Sequence, residues 1–210
     1  MSERYGAIVF TDIVGFTELT EQHGDDLALE LVEQQERTVR ELLPPTGRIV
    51  KELGDGLLLW FDDLADGVVT SLALQHCFDG PAVTAADATV PLWVRIGVHW
   101  GAPRWRGDDI IGRDVNLTSR LTALAGAGEV ICSGAVVDAW TTVQAPPEPA
   151  VHFIELGPAF VKGIPDAVRT YRVESEPPVD GDRWDEGSWD QGSWDRDWDA
   201  AGVEAIDAGD

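Results

Sequence analysis

The chain of 210 residues is short of cysteine, short of basic charge and without a long apolar run. Its two cysteines, Cys77 and Cys132, lie in apolar segments with no metal-ligand spacing. That argues against a disulfide framework or a cysteine-held metal and reads as two reduced core thiols. Lysine and arginine number 15 against 38 aspartates and glutamates, a net charge of -23. Such a balance argues against nucleic-acid binding through a basic face. The longest apolar run, around Leu57–Phe61, falls far short of the ~20 residues a transmembrane helix needs. Met1-Ser2-Glu3-Arg4-Tyr5 opens no extended apolar region, so no signal peptide and no membrane association are expected, and the cytoplasm is the expected compartment.

Apolar residues make up 44% of the chain, the proportion of a globular protein with a sizeable core. The charge is unevenly spread. Residues 174–210 hold 13 of the acidic and 2 of the basic residues, leaving 25 acidic and 13 basic in residues 1–173. In the acidic stretch Trp184-Asp185, Trp189-Asp190 and Trp194-Asp195 recur every five residues, followed by Trp198-Asp199. That period is too short for propeller blades of ~40 residues. The expectation is one folded domain over 1–173 and a disordered acidic tail over 174–210. Its tryptophans would suit docking to a partner the sequence does not identify.

Along the folded part, Gly6–Phe10 reads as a buried strand and is followed by a helical pattern. Asp25-Asp26 could cap a helix with Leu27, Leu31, Val32 and Val39 on one face, stopped by Pro44-Pro45-Thr46-Gly47. Gly47–Val50 and Leu57–Phe61 flank Gly54-Asp55-Gly56, the pattern of a hairpin with an acid at its tip. If alternation holds, Lys51 shares a strand face with that acid. Asp62–Phe78 is expected to be a helix presenting Leu64, Val68, Leu72 and Cys77, and Asp79–Pro91 a loop. Leu92–Trp100 alternates as a strand, Gly101–Gly107 should turn, Asp108–Gly112 is a short strand and Val115–Ala125 a helix. Glu129–Cys132 is a strand and Ser133–Trp140 a helix capped by Ser133. Thr141–Pro149 is a connector, and Val151–Leu156 with Val168–Val173 a final strand pair. Helices interleaved with hairpins imply an α+β sandwich on a mixed, largely antiparallel sheet.

Asp12 ends the first strand, and Ile13-Val14-Gly15-Phe16-Thr17 turns into a helix. Free N–H groups at such a turn suit phosphate oxygens, and a glycine lets the backbone approach closely. An N-capping aspartate is the plainer alternative. With Asp55 as a second acid, two carboxylates could hold divalent cations that clamp a triphosphate.

Phe10-Thr11-Asp12-Ile13-Val14-Gly15-Phe16-Thr17, Lys51-x-x-Gly54-Asp55-Gly56, Arg95-Ile96-Gly97-Val98-His99-x-Gly101 and Gly112-Arg113-Asp114-Val115-Asn116-Leu117-Thr118-Ser119-Arg120-Leu121 stand in order along the chain. Together they resemble the class III adenylate/guanylate cyclase catalytic domain of bacterial, adenylate type, over about residues 5–173. The resemblance implies a ferredoxin-like, palm-type sandwich that converts ATP to 3′,5′-cyclic AMP and pyrophosphate with two divalent cations, Mg²⁺ or Mn²⁺. It implies that Asp12 and Asp55 bind metal, that Lys51 and Asp109 read the purine, that Asn116 orients the ribose and that Arg120 steadies the α-phosphate. Asp108 adjoins Asp109, and a shift of one residue would exchange them. Ile13, Gly15, Phe16 and Thr17 are implied at the phosphates. Lys162 resembles a late triphosphate lysine, with a solvated side chain as the plain alternative, and His99 is expected to be structural. The family's sites are shared across a head-to-tail homodimer, so the same is implied here. A guanylate-using cyclase and a non-catalytic nucleotide-sensing or partner-binding domain on the same scaffold are the alternatives. A diguanylate cyclase is disfavoured, because its Gly-Gly-Asp/Glu-Glu-Phe signature is absent.

Overall fold

A computed structural model describes residues 4–78, 82–85, 88–143 and 150–175. β1 (Gly6–Ile13) occupies an inner position of a seven-stranded sheet, because its residues 7, 8, 9 and 13 are all apolar and buried. On one side it pairs antiparallel with β3 (Gly56–Phe61), which in turn pairs with β2 (Gly47–Glu52) at the edge. On the other side it pairs antiparallel with β6 (Val94–Gly101). β6 runs parallel to β9 (Val130–Ser133). β11 (Val168–Ser175) and then β10 (Val151–Ala159) complete the sheet in antiparallel fashion. The sheet is mixed and largely antiparallel, and the domain is α+β, as expected from the interleaved hairpins and helices.

Side-chain alternation divides the core into layers. Ala7, Val9, Leu57, Leu59, Phe61, Val94, Ile96 and Val98 face one way. There they meet Leu27, Leu31 and Val39 of α2 (Asp25–Leu42), Leu64, Val68 and Leu74 of α3 (Leu64–Phe78) and Val136 of α5 (Gly134–Trp140). Ile8, Leu58 and Trp60 face the other way, toward Val115 of α4 (Arg113–Thr122) and Ile110 of β8 (Asp109–Ile111). Each fully buried side chain of this size contributes about 1.5–3 kcal/mol relative to exposure.

Several local expectations need correction. The stretch taken as a loop before Pro91 forms a small hairpin, β4 (Ala82–Ala85) with β5 (Ala88–Pro91), in which Val83 faces Val90 and both are buried. Its alanines and prolines hide one good apolar pair. Arg104–Arg106 forms β7, which pairs with β8 around Gly107 at φ 63°. A positive φ at that glycine is what so tight a reversal requires. α2 is capped by Gly24, with Asp25 and Asp26 in its first turn, where carboxylates favour the helix dipole. The buried stripe of α3 runs through Leu64, Val68, Ser71, Leu74 and Phe78, so Cys77 falls off it and is exposed. Cys132 is a core thiol whose pKa burial pushes up to about 12. α4 begins two residues earlier than expected and ends at Thr122. β11 reaches Ser175, so Glu174 and Ser175 belong to the sheet. The remainder of the expected tail and residues 144–149 of the expected connector lie outside the described residues.

α4 rests on β6 at Gly97. A Cβ there would sit 2.4 Å from Thr122 Oγ1 and 2.5 Å from the Thr122 nitrogen. Gly97→Val should therefore lift α4 off the sheet. Overpacking of this kind costs about 1–3 kcal/mol, which in a domain of this size is a fall of roughly 2–12 °C in thermal midpoint. Scanning calorimetry reads it, and an unchanged midpoint would mean that the close packing at Gly97 does not constrain the helix.

Candidate active site

The exit of β1 and the tip of the β2–β3 hairpin come together because β1 and β3 are paired, with Asp12 opposite Gly56. A Cβ at Gly56 would lie 2.5 Å from the Thr11 carbonyl oxygen. Only glycine lets the tip close that tightly. Asp55 then lies beside Asp12, with its carbonyl accepting the Ile13 N–H at 3.2 Å. Burial pushes the Asp55 carboxyl above its ordinary pKa, and the charge of Asp12 adds to the shift. Its own backbone N–H and the Arg95 guanidinium pull in the opposite direction.

Arg95 is the member of this site that sequence reasoning missed. It stands opposite Asp12 in the β1–β6 register, and its Nη2 and Nε donate to Asp12 Oδ2 at 2.6 and 2.7 Å. Alternation sets it on the strand face opposite Val94, Ile96 and Val98, but its partner emerges only from the pairing of β6 with β1. Arg95 and Asp12 line a cleft of about 260 Å³ with Phe10, Leu53, Ser119 and Arg120.

α4 carries Asn116 and Arg120 on its exposed side, one turn apart, while Val115, Leu117, Thr118 and Leu121 are buried. Among the described residues neither polar side chain has a hydrogen-bond partner. The N-terminal end of α4 is pinned through Asp114. Its Oδ2 accepts the Ala102 N–H at 2.9 Å, and His99 Nε2 lies 3.7 Å from Oδ1. Contact with His99 is the main cause that holds the Asp114 carboxyl below its ordinary pKa. His99 Nδ1 meets Ser133 Oγ at 2.7 Å, so His99 is a buried strut. Ser133 stands at the N-cap of α5, but its hydroxyl serves His99 and makes no side-chain cap bond.

Lys51 and Asp109 form a second cluster. Lys51 Nζ lies 2.5 Å from Asp109 Oδ2, which selects Asp109 over its neighbour Asp108 as the lysine's partner. The hydrogen bond from Lys51 lowers the Asp109 pKa. Asp109 Oδ1 is buried with no hydrogen-bond partner among the described residues. The β2–β3 register slips between Ile49 and Lys51, a bulge that re-aims the strand at Lys51. β2 ends at Glu52, so Leu53, Gly54 and Asp55 form the turn and strand alternation does not carry from Lys51 to Asp55. Arg48 lies 4.5 Å over the Trp105 ring, and Trp60 meets that ring edge-on at 5.1 Å, so β2 and the β7–β8 hairpin are clamped behind the pair.

Other expected residues are placed as follows. Gly15, at φ 71°, caps α1 (Phe16–His23), Phe16 packs partly into the core and Thr17 is exposed. Ile13 is buried, and its N–H is engaged by the Asp55 carbonyl, so that amide is not open to a phosphate. The Val14 N–H is likewise taken by the Trp93 carbonyl at 2.8 Å. Lys162 is exposed beside Val161, which packs with Leu117 and Leu121 of α4. A profile of the adenylate and guanylate cyclase catalytic domain matches residues 2–175.

The chain belongs to that family. Over 136 residues, 64% of the chain, this cyclase domain is 36% identical to an adenylate cyclase of Streptomyces griseus, covering 32% of that protein. Over 170 residues, 81% of the chain, it is 31% identical to a pH-sensitive adenylate cyclase of Mycobacterium tuberculosis, covering 41% of it. The chain thus spans about a third to two fifths of the length of these relatives. The crystal structure of an adenylyl cyclase from Pseudomonas aeruginosa superposes with a TM-score of 0.69 at 24% identity, over 86% of this chain and 98% of that one. That likeness establishes the fold. Among the described residues no helix is long and apolar enough to cross a membrane.

The family's divalent cations fit the donors present. Asp12 and Asp55 offer hard carboxylate oxygens, the donor class that Mg²⁺ and Mn²⁺ prefer. Burial and, after it, the charge of Asp12 disfavour the Asp55 carboxylate, and a cation between the two would relieve both. Among the described residues no group of three or more histidine, cysteine or acidic side chains gathers into a self-sufficient cage, so further ligands would come from substrate or water.

A raised carboxyl pKa fixes the sign of a stability effect. With the folded value above the unfolded one, Asp55 stabilises the fold only when protonated, and that contribution is lost as pH rises through its folded pKa. In the absence of divalent cations, Asp55→Asn should raise the thermal midpoint at pH 7, and the gain should vanish below pH ~4. Melting curves across that range check it. A gain independent of pH would mean that the charge of Asp55 is not its cause.

Proposed function

We propose that the domain is an adenylate cyclase, converting ATP to 3′,5′-cyclic AMP and pyrophosphate. The observation that carries the choice of base is the Lys51–Asp109 pair with its unpartnered Asp109 Oδ1. Adenine presents an acceptor at N1 and a donor at its exocyclic amine. The lysine ammonium matches the first and the free carboxylate oxygen the second. Guanine reverses both, setting donor against donor and acceptor against acceptor. The wrong base would leave the buried Asp109 Oδ1 without a donor, which disfavours it.

The ribose 3′-oxygen attacks the α-phosphorus in line, the bond to the β-phosphate oxygen breaks, pyrophosphate leaves and the 3′-hydroxyl proton is released. Asp12 and Asp55 would hold two divalent cations, which would supply Lewis-acid charge to acidify the attacking hydroxyl and neutralise the leaving group. Arg120 donates to the α-phosphate oxygens as charge builds there, and Asn116, on the same helix face, orients the ribose. Arg95, paired with Asp12, adds a guanidinium beside the cation ligands. The backbone N–H groups of Gly15, Phe16 and Thr17, at the start of α1, face phosphate charge, and Lys162 reaches the same group from its exposed turn.

Membership of the cyclase family, with Asn116 and Arg120 exposed on α4, supports a head-to-tail homodimer in which each site takes Asp12 and Asp55 from one subunit and Lys51, Asp109, Asn116 and Arg120 from the other; the cleft that Arg120 shares with Asp12 in its own subunit is the observation a site within one chain would use. ATP as substrate and an exposed thiol at Cys77 favour the cytoplasm.

Purified protein incubated with Mn²⁺ or Mg²⁺ and either ATP or GTP should yield cyclic AMP in preference to cyclic GMP. No cyclic nucleotide under any metal would leave the non-catalytic reading in its place, and preferred cyclic GMP would overturn the adenine assignment. Arg120→Ala should lower kcat by about 10²–10³, the usual effect of losing one transition-state charge donor. Asp55→Ala and Arg120→Ala, each strongly impaired alone, should regain activity well above either when mixed, since one of two shared sites is then intact. Confirmed subunit exchange without recovery would rule out sharing.

A further inference from the structure

α2 buries Leu27, Leu31 and Val39 at four-residue intervals, and the remaining member of that series is Gln35. An apolar side chain would be expected there. Gln35 is only 1% exposed, and burying an amide is costly unless its hydrogen bonds are made. Both ends are satisfied. Its Nε2 donates to the Asp55 carbonyl at 2.9 Å, and its Oε1 accepts from the Thr11 hydroxyl. That hydroxyl also accepts the Leu57 N–H at 3.2 Å. One amide thus bridges the residue before Asp12 and the backbone of Asp55, from a helix on the other side of the sheet from α4. Gly54, in the left-handed region at φ 77°, makes the reversal just before Asp55.

We propose that Gln35 is a positioning residue for the divalent-cation site, fixing the separation of Asp12 and Asp55 through a buried Thr11–Gln35–Asp55 tie. The inference rests on reading those two aspartates as cation ligands. Two like charges resist being held together, and the tie acts on backbone and hydroxyl atoms, so it holds the ligands without competing for the cation. Partners that orient metal ligands in this way typically change affinity 10–100-fold when removed.

The test is direct Mn²⁺ binding to the full chain, followed by electron paramagnetic resonance without nucleotide. Gln35→Leu fills the space and removes both bonds, and Gln35→Glu keeps the shape and the acceptor but loses the donor to Asp55. Each should weaken Mn²⁺ binding by 10–100-fold. In turnover assays the Mn²⁺ activation midpoint should rise, with kcat largely regained at saturating metal. Thr11→Val should weaken binding likewise, and Thr11→Ser, which restores the hydroxyl, should recover it. Thr38→Val is the control for loosening α2, because among the described residues the Thr38 hydroxyl bonds only to Gln34; it should leave Mn²⁺ affinity unchanged.

Mn²⁺ affinity within twofold of wild type in Gln35→Glu and Thr11→Val would overturn the proposal, and those two decide it if Gln35→Leu does not fold. Wild-type protein that binds Mn²⁺ but forms no cyclic nucleotide would defeat the cyclase reading alone. Wild type that binds no Mn²⁺ would defeat the positioning role as well.

Discussion

Two carboxylates are held side by side at the end of an inner strand, and that repulsion has to be contained by everything around it. Asp12 and Asp55 come from segments more than forty residues apart, yet the β1–β3 register brings Asp12 level with the glycine that follows Asp55. Gly56 permits the approach, the Ile13 amide anchors the tip, and Arg95 balances one of the charges. Burial heightens the repulsion by removing water. A divalent cation between the two carboxylates would relieve that repulsion. Strain between charges is here tied to ligand binding.

The two sides of the sheet divide the work. The side facing α2, α3 and α5 is almost wholly apolar and supplies most of the core. The other side is covered sparsely by α4 and the β7–β8 hairpin, which leaves the cleft beside Asp12 open. Polar groups of the site therefore stand on the thin layer and draw rigidity from the thick one. The pair Lys51 and Asp109 follows the same plan, at an edge strand and a short hairpin braced by Trp105 between Arg48 and Trp60.

Much of this was legible in the sequence, and where it was not, the reason is physical. Strands such as β1 and β3 are continuous apolar runs, and the acid-bearing hairpin announced itself through Gly54 and Gly56. The helix bearing Asn116 and Arg120 was readable from its periodicity. Arg95 was hidden because its meaning depends on which residue lies opposite it, and register between strands far apart in the chain leaves no local trace. The bulge before Lys51 was hidden for the same reason. The β4–β5 hairpin was lost among alanines and prolines, which carry little periodic signal. Gln35 looked like an ordinary polar helix residue, and only its place in the buried stripe sets it apart.

The one parallel pairing in the sheet joins β6 to β9, and the chain passes between them by way of α4. A helix used as a crossover is moored at both ends to neighbouring strands, and this one also lies directly on glycine with no cushioning side chain. It has no swing of its own. Control of the distance between Arg120 and a carboxylate facing it would therefore fall to the movement of whole bodies, with the domain behaving as a jaw rather than as a hand with fingers.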